Sequence, residues 1–371
     1  MSDGSPLVDW GLSKRAASAV ISGLPPIAGL GSDPAGEAGS YSAGEVEAAC
    51  RRAISQVSEY SGLGVVAAPP PAELIDRREW ASNALAMLAQ AARPLEQRLA
   101  RDLSLPGPLG AVAQRVVGAA AGAEAGLAVG YAARHVLGQY DFALFGPQRP
   151  ARLLFVAENM EDARRRLDGD HDTFLRWVAL HETTHVVQFE RVEWLSGHMR
   201  ELAGGLLSAA ADGVDSSSLS ALVKRCLREP GEIVRALMRG EVSRLLADPE
   251  QAARLDRLQA TMAVIEGHAE HVMDACAADL GPDLAELRRK LDQRRDRRGG
   301  LGAVLARLLG LEAKLRQYEL GKRFCDGVVA AGGPGSLRLV WRSPAALPSL
   351  EELEDPAAWI ARVSELSPQP A

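Results

Sequence analysis

Along most of this chain, apolar residues recur every three to four positions, the period of amphipathic helices. That spacing predicts a short helix around Leu12 to Ile21 and a second from about Ala43 to Ser58. A third runs from about Ala72 to Leu99, after the break at Pro69-Pro70-Pro71. The stretch from Leu109 to Leu137 predicts one long, small-residue helix. Within it Gly118, Gly122, Gly126 and Gly130 fall every four residues and form a stripe on one face. Glycine weakens a helix, so such a stripe predicts a second helix packed at close backbone distance. Arg152 to Ala157 (RLLFVA) is short, apolar and rich in strand formers, the best strand candidate in the chain. A charged helix follows from about Met160 to Leu167, then a turn at Asp168-Gly169-Asp170. The next helix covers about 172–195, capped by Asp170 or Asp172.

Residues 200–280 keep the helical pattern, with breaks at Asp212-Gly213, Pro230-Gly231 and Asp248-Pro249, and include a helix at about 258–276. A last helical pair spans about Ala303 to Ala330. Residues 24–45, rich in Gly, Pro, Ser and Ala, read as a loop, and 292–302 as an exposed basic connection. The organisation expected is an N-terminal segment and loop over 1–45, a single helical domain over 46–365 and a tail over 366–371.

Composition narrows the class. Of 371 residues, 47% are hydrophobic and 24% charged, the balance of a soluble globular protein. A net charge of −6 argues against nucleic acid as a partner, which calls for a basic surface. The N-terminus lacks the basic start and apolar run of a signal peptide. Val116 to Ala133 is the nearest approach to a membrane span. It is broken by Glu124 and built mostly of Ala and Gly, weak drivers of insertion, so no membrane partner is expected. Cys50, Cys226, Cys276 and Cys325 form no CxxC pair, which points to reduced, buried thiols in a cytoplasmic protein.

Chemistry concentrates in two segments. The first is Leu180-His181-Glu182-Thr183-Thr184-His185-Val186. Two histidines four apart on a helix lie on the same face one turn apart, and their imidazoles can converge on one zinc ion. Glu182, turned partly aside, can act as general base on a water activated by that ion. Phe174, Trp177, Val178, His181, Thr184, His185 and Gln188 place the motif in an amphipathic helix. Position 191 is Arg, so the third histidine of a metzincin is absent.

The second segment, Met262 to Asp274 (MAVIEGHAEHVMD), supplies candidates for the third ligand. Glu266 and Glu270 share one helix face, where two carboxylates among apolar neighbours need charge neutralisation. Glu266 is the favoured ligand. Glu270, one turn on, would accept a hydrogen bond from the free ring nitrogen of His181. The competing assignment uses His268 or His271. Gly267 would let this helix approach the first closely. His135, His171 and His198 read as ordinary surface or capping histidines. For a second oxyanion donor, His271 and Tyr318 are candidates.

The pairing of LHETTHVVQFERVEWL with MAVIEGHAEHVMDA resembles an actinobacterial-type family of zincin-like metallopeptidases, labelled as associated with biosynthesis of a deazaflavin coenzyme. VDWGL, DRREWASNALAML, HVLGQYDFAL, RLLFVAEN and KLRQYELGKRF extend the resemblance over nearly the whole chain. It implies a mainly α, zincin-like helical fold, with a minor short β element beside the HExxH helix, and one Zn2+ per chain. Carried over, His181 and His185 are metal ligands and Glu182 is the catalytic glutamate. Glu266 matches the glutamate of the gluzincin Glu-xxx-Asp helix, and Glu270 stands where those peptidases have Asp. The function expected is zinc-dependent hydrolysis of a peptide. A zinc hydrolase of a small amide and a non-catalytic zinc-stabilised scaffold are the alternatives.

Overall fold

A computed structural model describes residues 8–23, 40–102, 108–213, 249–277 and 311–365. The protein is mainly helical with one small sheet, as the hydrophobic period predicts. Helix α1 (Trp10–Ile21) and α2 (Ala43–Ser61) precede strand β1 (Ala72–Ile75), and α3 (Arg77–Asp102) and α4 (Pro108–Ala133) follow it. Strands β2 (Gly138–Asp141) and β3 (Arg152–Val156) lead into α5 (Ala157–Leu167), α6 (His171–Arg191) and α7 (Leu195–Gly213). Beyond residue 248 come α8 (Pro249–Ala277) and α9 (Leu311–Gly332). Two 3-10 turns (Pro334–Trp341, Pro344–Ala346) and short helices α10 (Leu350–Glu354) and α11 (Pro356–Glu365) complete the described chain.

Several expectations need correction. Ala72 to Ile75 begins no helix: it pairs in parallel with β3, in register from Ala72 with Leu153 to Ile75 with Val156. The helix starts afterwards, at Arg77, because Ala-Glu-Leu-Ile is too short and apolar for period alone to separate strand from helix. Strand β2, unforeseen, pairs antiparallel with β3 from Gly138 with Phe155 to Asp141 with Arg152. The sheet order is therefore β1-β3-β2, and Arg152–Val156 is the central strand rather than an edge. Its alternate residues feed two cores: Leu153 and Phe155 one, Leu154 and Val156 the other. Helix α6 ends at Arg191, four residues before the predicted Leu195, where α7 begins. The predicted breaks at Pro230 and Asp248, Cys226 and the 292–302 connection lie outside the described residues. Cys50, Cys276 and Cys325 are free and buried.

The glycine stripe does what its spacing predicts. A Cβ on Gly122 would lie 2.3 Å from the carbonyl oxygen of Asp9, and one on Gly126 2.3 Å from that of Ser13. Helix α1 therefore lies directly on α4. The stretch Arg115–Ala133 is long and apolar enough to cross a membrane; its glycine face is covered by α1. Gly267 departs from expectation. Its close approach is to α9, not to α6: a Cβ there would stand 2.1 Å from the carbonyl carbon of Gly321, and one on Gly321 1.8 Å from the oxygen of Ala263.

Two polar knots set the position of α6. Asp170 caps it, accepting from the amide of Thr173 at 2.8 Å. At the same end Tyr41 stacks on His171 with ring centroids 4.3 Å apart. Ser40 donates to Glu161 at 2.8 Å, and Arg164 and Arg165 donate to it at 2.7 and 2.5 Å. Arg164 foremost, with Ser40 and Arg165, holds the Glu161 carboxyl down at about 2 against the upward push of burial. The depressed folded pKa means that this stabilisation is complete above the ordinary carboxylate value and is lost as pH falls through about 2. Urea unfolding of Glu161→Gln should show lower stability than wild type at pH 7, with the gap closing as pH drops from about 4.5 to about 2. A gap that stays constant with pH would contradict the assignment.

Candidate metal centre

Every polar side chain of the site comes from α6 or α8, and each is held by local helix geometry. His181 and His185 sit one turn apart on α6, Nε2 to Nε2 3.3 Å. From α8, Oε2 of Glu266 lies 3.6 Å from Nε2 of His181 and 3.5 Å from that of His185. Ligands at about 2.0–2.1 Å around a tetrahedral zinc stand about 3.3–3.4 Å apart. The three donors therefore already occupy one face of such a tetrahedron. They are the one cluster of metal-ligating side chains among the described residues. His181 keeps 27% of its side chain exposed against 11% for His185, so the site opens on the His181 side.

The tautomer of His185 is fixed from behind. Its Nδ1 donates to Oε1 of Gln188 at 2.9 Å, which leaves the Nε2 lone pair directed at the other two donors. The amide nitrogen of Gln188 donates to the carbonyl of Ile265 and to Nδ1 of His268, both at 2.9 Å. One buried amide thus orients a ligand on α6 and ties α8 to it next to Glu266. Gln188 had been legible only as part of the amphipathic strip. Its place three residues after His185, a neutral amide on a buried face, is the feature that marks it.

The same bonds show where the other two candidates for third ligand lie. His268 is buried, turned to Gln188 and set edge-on against Trp341 at 5.2 Å. Burial, reinforced by His271 and His185, pushes its pKa down to about 3, so it is neutral. His271 has Nε2 2.8 Å from the hydroxyl of Tyr60 and Nδ1 2.6 Å from Asp326. Both nitrogens are engaged away from the three donors. Lys322 in turn donates to Asp326 at 2.6 Å. Glu270 lies one turn past Glu266, half-buried. Tyr318 belongs to α9, with its side chain outside the described residues. His135 is an exposed helix-end histidine, 2.7 Å from the carbonyl of Tyr131. His198 is set edge-on to Trp194.

Glu182 is 6% exposed. Burial pushes its carboxyl up to about 7, with attraction from His185 and repulsion from Glu266 acting in opposite directions. Burial would depress the His185 imidazole, but Glu266 and Glu182 outweigh it and raise the group to about 9. The two carboxylates thus create a demand for positive charge beside His185, which a proton or a bound cation would meet. Gly138, the first residue of β2, faces Glu182. A Cβ there would stand 2.6 Å from Cγ, 2.7 Å from Cδ and 2.8 Å from Oε1 of that carboxylate. Only glycine leaves this room. No periodicity announces the contact, because it joins elements more than forty residues apart.

The profile of a family described as zincin-like metallopeptidase matches residues 8–360. A crystal structure from Chloroflexus aurantiacus, described as a candidate hydrolase with a novel fold, aligns over 96% of this chain and 99% of its own. The TM-score is 0.64 and the sequence identity 26%. No protein of curated function matches the chain.

Replacing Gln188 with Leu strands the Nδ1–H of His185, the carbonyl of Ile265 and Nδ1 of His268. Loss of such a supporting bond lowers metal affinity about 10–100-fold. Competition of the Gln188→Leu protein against a chromophoric zinc chelator measures this; unchanged affinity would remove Gln188 from the site.

Proposed function

Because this chain belongs to the family of zincin-like metallopeptidases, we propose that it is a zinc-dependent hydrolase that cleaves peptide bonds, with Glu182 as general base. The observation that carries this reading is the convergence of His181, His185 and Glu266 at tetrahedral spacing, with Glu182 beside them and outside the donor set. When bound, zinc supplies Lewis acidity, lowering the pKa of a water to about 7 and polarising a carbonyl.

The residues of the chain do the rest. His181, His185 and Glu266 would hold the ion through three protein donors, the number that distinguishes an open catalytic site from a closed four-ligand structural one. In this reading Glu270, one turn past Glu266, would accept from the outer ring nitrogen of His181, the counterpart of the bond that Gln188 accepts from His185. Glu182 takes a proton from the attacking water and returns it to the leaving amine. A dication in the site favours its charged, accepting form. The carboxylate is kept in line by Gly138, whose missing side chain lets β2 pass directly over it.

Strand β2 also supplies the means to hold an extended substrate. It is an edge of the sheet. The amide of Val156 donates to the carbonyl of Leu137 at 2.9 Å, so the bonding pairs across to β3 are 137, 139 and 141. Gly138 and Tyr140 then turn their main-chain groups outward, where a peptide adds by backbone pairing. Both ring nitrogens of His271 are engaged, by Tyr60 and Asp326, so the oxyanion role considered for His271 is not part of this reading.

Metal analysis by mass spectrometry should find about one zinc per chain in wild type and little in His185→Ala or Glu266→Ala. Glu182→Gln should keep its zinc and lose about 10²–10⁴-fold in peptide turnover. Gly138→Ala should also keep zinc and lose about a hundredfold, since displacing a reacting group by about 1 Å has that effect. Turnover surviving Glu182→Gln would end the general-base role, and absence of metal after incubation with zinc would end the hydrolase reading.

A further inference from the structure

A cleft of about 700 Å³ lies between α7, the first half of α8 and the chain from Pro344 to Arg362, and shares no residue with the metal centre. Its size is that of a site for a small organic ligand. One wall is held rigid. Arg362 donates to both carboxylate oxygens of Glu352, at 2.6 and 2.9 Å, and to the carbonyls of Ala345 and Leu347, at 2.7 and 2.9 Å. The indole of Trp359 donates to the carbonyl of Ala346 at 2.8 Å. The charges of Arg362 and Glu352 are thereby engaged within the fold. So are two hydroxyls: Thr261 donates to the carbonyl of Arg257 at 2.8 Å, and Ser349 accepts from the amide of Glu352 at 3.1 Å. Pro344, Leu347 and Pro348 give this wall an apolar surface.

Four polar side chains of the cleft are not engaged in this way. Arg257 gives its Nε–H to the carbonyl of Ala253 at 3.3 Å, and its two terminal nitrogens have no partner among the described residues. Asp256 precedes Arg257 on α8, and adjacent residues of a helix do not face each other, so it does not neutralise the guanidinium. The carboxylates of Asp256 and Glu351 have no partner among the described residues either. His198 is half-buried, and neither of its ring nitrogens is hydrogen-bonded among the described residues. Burial lowers its pKa; Glu201 acts upward and Arg257 downward, and the net shift is down. The ring is therefore a neutral imidazole beside a guanidinium, with an N–H to give. A carboxylate bridging the two accepts charge-assisted bonds from the guanidinium fork and a further bond from the imidazole. Asp256 on α8 and Glu351 on α10 offer the opposite charge from two sides of the same cleft.

Unpaired charges of both signs over an apolar wall are complementary to a small zwitterion with an apolar body. We propose that this cleft binds a free dipeptide, its carboxylate on Arg257 and His198, its ammonium on Asp256 and Glu351, and its side chains against Pro344, Leu347 and Pro348.

The probe is Leu-Leu, titrated into the zinc-loaded full chain carrying Glu182→Gln so that the peptide stays intact. Binding is followed by calorimetry and by the Cε1–H resonance of His198, identified by its loss in His198→Gln. Leu-Leu should bind with millimolar affinity or better and move that resonance, and the titration midpoint of His198 should rise, because the carboxylate offsets Arg257. Leu-Leu amide and acetyl-Leu-Leu, each lacking one charge, should bind about tenfold more weakly. Arg257 and Glu351 are both exposed, so their substitution leaves the core untouched. Arg257→Gln should abolish the difference between Leu-Leu and its amide and keep that between Leu-Leu and the acetyl form; Glu351→Gln should do the converse. No binding, binding that leaves the His198 resonance unmoved, or equal affinity for all three peptides overturns the site. Leucine binding as tightly as Leu-Leu overturns the dipeptide as its ligand. Since His198 reports occupancy without turnover, failure here leaves the hydrolase reading standing, and a wild-type chain that binds Leu-Leu but cleaves no peptide leaves the site standing without the hydrolase.

Discussion

The structure turns on the gathering of four ionisable side chains at the contact between α6 and α8, Glu182 and His185 buried and His181 and Glu266 half-buried. Such groups are costly in an apolar setting unless paired and hydrogen-bonded. The fold meets this condition with one neutral side chain. Gln188 satisfies His185 on its own helix and Ile265 and His268 on the other, so the two helices are in register at the point where Glu266 must reach the imidazoles. Behind α8, Gly267 and Gly321 remove the side chains that would hold α9 away. Helix α8 is thus fixed on both sides, by an amide on one and by bare backbone on the other.

The sheet plays the complementary part. With β3 central and buried on both faces, β2 is left as an edge. The Gly138–Glu182 contact then sets how close that edge comes to α6. One glycine serves two purposes: it frees space for the carboxylate and begins the edge strand. Past the end of the strand Arg200 continues the same control, donating to the carbonyls of Phe142 and of Ala143, which is held at φ 53°. A fold that is mainly helical therefore depends on a three-stranded sheet for the surroundings of Glu182.

The family match and the likeness to the Chloroflexus aurantiacus structure extend over nearly the whole chain. The agreement covers fold and family. Substrate choice depends on local surfaces, because sites rather than folds carry specificity.

The sequence by itself determined what depends on local spacing. The helical period, the cap at Asp170, the glycine stripe of α4 and the i, i+4 pairing of His181 with His185 are all properties of residues a few positions apart, so they are legible one helix at a time. The same locality explains why Glu266 stood out as an acidic residue on an apolar face. Only the tertiary structure decided which of Glu266, His268 and His271 meets the histidines, because that depends on the rotation of α8 against α6. It alone made β3 central and β2 an edge, since strand order is set by pairing between distant segments and not by the apolar content of either. The roles of Gln188 and Gly138 belong here too. An amide and a glycine carry little signal of their own, and each acquires its function from atoms that long-range packing brings within about 3 Å, the reach of a hydrogen bond or a steric contact.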